Sequence, residues 1–108
     1  MKGLLKKLMT LKTNKTMNNK LIAQFMNEST KNDILNYHSC WNCLIKVVEK
    51  IEILGFEFII VESRIYINHN TDQSIKELFH MEFVSSKIYA TYNAVIEFIK
   101  MYNKKLIN

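Results

Sequence analysis

The chain has no proline, two glycines, two cysteines and one tryptophan in 108 residues. Without proline no helix break is obligatory, and with two glycines few positions take a left-handed turn freely. Long helices joined by short polar loops are therefore favoured. Two cysteines exclude a disulfide-dense secreted scaffold. No run of about 20 uncharged apolar residues exists, so no membrane span is expected. Phosphate-binding glycine loops, the H-E-x-x-H zinc motif and the nucleophile elbow are all missing. The first sixteen residues, MKGLLKKLMTLKTNKT, contain no acid at all.

That segment carries Lys2, Lys6, Lys7, Lys12 and Lys15, which account for the whole formal net charge of +5. Over residues 17–108 ten cations balance ten anions. A basic protein invites a nucleic-acid reading, and here that reading attaches to one end only. We expect a basic, flexible leader over residues 1–16 and one neutral domain over 17–108. Lys6 and Lys7 interrupt the leader's apolar stretch, so it does not read as a signal peptide. Leu4, Leu8 and Leu11 give it a short amphipathic pattern, and Met17 could serve as a second start. The cytoplasm is the expected compartment, with Cys40 and Cys43 as free thiols.

Hydrophobic periodicity sets the expected elements. A short helix over Lys20–Glu28, capped by Asn18 or Asn19, places Leu21, Ile22, Phe25 and Met26 on one face. Ser39 is a good cap for a second helix with Trp41, Leu44, Ile45, Val48 and Ile51 as its apolar stripe and Gly55 as its stop. This helix is expected at the centre of the core. From Phe56 the period changes to two, predicting a hairpin of Phe56–Glu62 with a strand around Ile65 and Ile67, joined through Ser63 and Arg64. Residues 68–86 are ambiguous. A capping box from Ser74 to Glu77 competes with alternation over Leu78–Phe83, and the strand is preferred because a lone hairpin is marginal. A final helix from about Ser86 to Lys105 carries Ile88, Tyr92, Val95, Ile96, Ile99 and Tyr102. The fold class is α+β: a small antiparallel sheet of two or three strands packed against helices.

Three chemistries come into question. Cys40 and Cys43 form a C-x-x-C at a helix start, where thiol pKa falls, but no strand precedes it as in thioredoxin-type sites. His38 with both cysteines offers three zinc ligands, and His69 or His80 a fourth, without the spacing of a second knuckle. His38, His69 and His80 neighbour no carboxylate pair that would make them a general acid and base. No enzyme, cofactor or metal is expected. Tyr92 and Tyr102 fall on the last helix's stripe, whereas Tyr66 and Tyr89 lie off the stripes and are expected to be exposed.

The segment YHSCWNCLIKVVEKIE, Tyr37–Glu52, resembles small proteins of phages and prophages of Bacteroidetes-type bacteria, with the pattern Y-H-S-S-W-D-W-L-M-P-V-V-E-K-I-E. Ala94–Asn103 is similar to their terminal helix, A-V-x-E-F-I-K-W-Y-N, and Asn19–Met26 to their opening motif. The likeness covers most of residues 17–104. The chain departs from the pattern at Cys40 and Cys43, where the family has Ser and Trp, so the resemblance makes neither cysteine a ligand or nucleophile. It implies a small cytoplasmic protein carried by a mobile element, and single-domain proteins of this size and origin include inhibitors of host defence. The chain looks like an anti-CRISPR protein against a type VI-B RNA-targeting effector. Its partner would then be the CRISPR effector or its guide RNA, met by the five leader lysines with Lys20 and by an aromatic anchor at Tyr37 and Trp41. The alternative is a phage accessory module that binds nucleic acid or another phage protein.

Overall fold

The computed structural model describes residues 16–28, 35–70, 75–84 and 86–104. Helix α1 covers residues 16–25. A single 3-10 turn, Tyr37–Ser39, leads into α2, Trp41–Ile53. Strands β1 (Phe56–Val61), β2 (Arg64–Asn70) and β3 (Ile75–Glu82) form an antiparallel sheet in the order β1-β2-β3, and α3 spans Lys87–Asn103. The α+β class with a three-stranded sheet and a long last helix is as the periodicity predicts. The leader lysines Lys2, Lys6, Lys7, Lys12 and Lys15 lie outside the described residues, as does Ser74 of the capping box.

Each helix end has a local cause. After α1, Asn27 takes a left-handed φ of 58°. Its amide donates to the Gln24 carbonyl and that of Glu28 to Ala23, satisfying carbonyls the helix leaves open. Gly55 closes α2 with φ +100°, a conformation that any side chain would strain even though a Cβ there would meet nothing. Ser86 caps α3, its Oγ accepting from the Tyr89 amide at 3.2 Å. The two-residue hairpin turn is Glu62–Ser63, with Glu62 left-handed, and Arg64 opens β2 instead of belonging to the turn.

Sheet alternation sorts the side chains. Phe56, Phe58, Ile65 and Ile67 are buried beneath the helices, α2 lying over β1 and α3 over β2 and β3. Pairing slips between Ile67 and Asn68, where Leu78 is the extra residue of a bulge on β3. The opposite face carries Tyr66 stacked on His80, with ring centroids 4.7 Å apart, and an exposed Arg64–Glu82 ion pair at 3.4 Å. Such an exposed pair adds little stability.

Two expectations about the core change. Its centre is α3, not α2: Ala90, Tyr92, Ala94, Val95, Ile96, Phe98 and Ile99 are all buried on it, against Leu44, Val47 and Ile51 on α2. The sequence of α2 holds two overlapping apolar stripes. The one through Leu44, Val47 and Ile51 turns inward, leaving Trp41 and Ile45 outside. Asn19, expected to cap α1, instead sits inside that helix and is buried. Its side chain bridges to other elements and is not free to cap. Lys50 ties α2 to α1 by donating from Nζ to the Phe25 carbonyl while lying 4.5 Å above the Phe25 ring.

Candidate partner-binding site

The 3-10 turn and the first turn of α2 bring together Tyr37, His38, Cys40, Trp41 and Cys43. This stretch is anchored from behind. The Tyr37 ring is buried, its hydroxyl donating to Glu28 Oε1 at 2.5 Å. Burial first, and then the Glu28 carboxylate, raise the Tyr37 pKa well above the usual tyrosine range. Tyr37 therefore belongs to the core and cannot serve as the surface anchor expected of it. His38 Nδ1 accepts from Asn19 Nδ2 at 3.1 Å, which places its neutral-form proton on Nε2.

Cys40 is the N-cap of α2, in extended conformation, and its Sγ accepts from the Cys43 amide at 3.2 Å. The expectation of two free thiols is corrected: Cys40 and Cys43 are joined in a disulfide, with Cα atoms 5.2 Å apart. An extended cap followed by one helical turn brings the two Cα atoms within the bridging range. In this state both sulfurs are bonded to each other. Among the described residues no group of three or more His, Cys, Asp or Glu could hold a metal ion. His69 stacks on Phe56 on the helix-covered face of the sheet, whereas His80 stacks on Tyr66 on the other. The sheet separates them, so they form no acid–base pair.

From this braced turn Trp41 and Ile45 project outward, 38% and 43% exposed. They are four residues apart and so share one helix face. Lys20 is exposed on α1. Tyr89 is exposed as expected, and Tyr66 partly so. The open sheet face looks at first like a base-stacking platform. Its charges argue otherwise, because alternation places Glu57, Glu77 and Glu82 there against Arg64 alone. A phosphate backbone would be repelled from it. No helix among the described residues is long and apolar enough to cross a membrane.

Sequence reasoning missed the polar knot behind the site. Asn19 Nδ2 also donates to the Leu35 carbonyl at 3.0 Å, and its Oδ1 accepts from the Tyr92 hydroxyl at 2.9 Å. Its position one turn before Ile22 and Ala23, on the face that α1 buries, was the available signal. Burial, with Tyr89 adding a smaller charge effect, pushes the Tyr92 pKa up to about 12. The folded state thus holds this proton more tightly than the unfolded chain, whose tyrosine titrates near 10. The associated stability is complete below pH 10 and is lost as pH rises toward 12. Alkaline unfolding followed by circular dichroism should show a drop in stability across that window, reduced in Tyr92→Phe. An equal drop in the variant would discharge Tyr92 from that role.

No protein-family model, curated protein or solved structure matches the chain.

Proposed function

We propose that this protein is a non-catalytic inhibitor of a host defence system that binds a CRISPR RNA-guided nuclease, of the type VI-B RNA-targeting kind, or its guide RNA. It acts by steric and electrostatic competition, with no bond made or broken. The identity comes from the resemblance at Tyr37–Glu52 and Ala94–Asn103. The structural observation that supports a binding role is the Trp41–Ile45 pair, held outward on a helix whose first turn is fixed by the Cys40–Cys43 bridge and by buried Tyr37. A rigid aromatic anchor of this sort is the residue type that dominates binding energy at protein interfaces. The leader lysines and Lys20 supply a second, electrostatic contact to guide phosphates or an acidic effector patch.

The two contacts separate in one experiment. Purified effector–guide complex is titrated with the full chain, with Trp41→Ala and with a chain lacking residues 1–16, and RNA cleavage and affinity are read. The full chain should inhibit at one-to-one stoichiometry. Trp41→Ala should weaken binding by about 2 kcal/mol, roughly thirtyfold. Removing the leader should flatten the salt dependence by about 0.7–0.9 in log–log slope for each phosphate that its lysines neutralise. Absence of binding to any such complex would falsify the reading. In that event a pull-down from host cells, with and without nuclease treatment, tells whether nucleic acid or another phage protein is the partner.

A further inference from the structure

We propose that Cys40 and Cys43 form a reversible thiol–disulfide exchange site whose co-substrate is a thiol, with Cys40 as the exchanging sulfur and Cys43 as the resolving one. They are the only cysteines in the chain and are bonded to each other. The inference stands apart from the identity of any defence nuclease.

Three observations give the two sulfurs different roles. Cys40 occupies the extended residue before α2, with its Sγ already accepting the Cys43 amide. A thiolate released there meets that donor and the positive end of a 13-residue helix. No acid lies in the first turn of α2 to oppose it. Cys43, one turn on, packs against the core. The bridge closes a ring of only four residues, the kind that constrains an unfolded chain least. Opening it should therefore leave the fold in place, as exchange requires.

The step balances with two thiols as reductant. An incoming thiolate attacks Cys40 Sγ, and the S–S bond breaks with its electron pair on Cys43 Sγ, which takes a proton from water. A second thiolate then attacks the incoming sulfur of the mixed disulfide. Cys40 leaves as a thiolate, held by the Cys43 amide, and the external thiols depart as their disulfide. Two electrons pass to the protein, and the reverse sequence oxidises it. The thiol can come from a small molecule or a protein dithiol.

The oxidised full chain is incubated separately with glutathione and with reduced thioredoxin, then alkylated and weighed by mass spectrometry, with circular dichroism recorded in both states. Reduction by either reagent with the fold retained supports the site and identifies the source of the thiol. Single variants assign the sulfurs: Cys43→Ser should take up one glutathione from its disulfide at least about tenfold faster than Cys40→Ser. A disulfide inert to both reagents in the native protein, unfolding on reduction, or equal rates in the two variants would overturn the proposal.

Discussion

Phe98→Ala should remove about 3–5 kcal/mol of folding stability, measured as the shift in the urea unfolding midpoint at unchanged slope. The ring is completely buried. It meets Phe25 of α1 edge-on at 6.1 Å and Phe56 of β1 edge-on at 4.9 Å, and stacks against Tyr102 at 5.8 Å. One side chain thus joins the first helix, the sheet and the last helix. Truncation loses the transfer energy of the ring and leaves a cavity walled by elements that cannot all collapse inward. Domains of this kind are stable by about 5–15 kcal/mol in total, so the substitution removes a large share of that margin and, at its lower end, nearly all of it. Phe98→Leu, which retains most of the volume, should cost clearly less. A loss below about 1 kcal/mol for the alanine variant would mean that Phe98 is not the junction described.

Asn19→Ala is expected to rank next, at about 2–4 kcal/mol. Its carboxamide is buried, its oxygen accepting from Tyr92 and its nitrogen donating to the Leu35 carbonyl and to His38. These bonds link α1, the loop before the 3-10 turn and α3. Among the described residues no buried side-chain nitrogen or oxygen lacks a hydrogen-bond partner. Alanine deprives three groups of one partner each, and an unmet buried polar group costs about 1–3 kcal/mol. Tyr92→Phe, which breaks one of these bonds, should cost about 1 kcal/mol. The two substitutions together should cost less than the sum of the two alone, because they share a bond. Strict additivity in that double-mutant cycle would show that the Asn19–Tyr92 bond contributes nothing. On the binding role proposed for Trp41, the same variants should also weaken binding, since His38 lies between the knot and the cap residue of α2.

Legibility in the sequence follows how local the cause is. The stop at Gly55, the start of the last helix near Ser86 and the change to a two-residue period at Phe56 each depend on a few neighbouring residues, and all three appear where expected. The third strand needed one argument beyond its neighbours, that a hairpin alone buries too little. Ile45 was misplaced, and Trp41 was wrongly included in the buried stripe, because α2 has apolar residues on more than one face. Periodicity reports such faces without saying which one meets the sheet. Phe98 escaped notice for a related reason: α3 is buried over more than its expected stripe, so a residue beside the stripe becomes the centre of the core. Asn19 has the composition of a cap, and only the approach of Tyr92, seventy-three positions away, makes it a bridge.

The candidate site divides in the same way. That Cys40 and Cys43 flank a helix start was plain from their spacing. That they are bonded depends on the extended backbone at Cys40. Tyr37 and Trp41 were equivalent in the sequence as anchors. Burial took one and left the other.

By itself the chain determined its α+β class, the order and most boundaries of its elements, and the confinement of excess charge to the leader. Each of these is set by short-range steric preference, alternation or simple charge balance. Only the tertiary structure decided which helix is central, which face of α2 meets solvent and where the polar knot closes. Those outcomes turn on residues far apart in sequence competing to be buried together, and that competition is resolved by packing, not by any one segment.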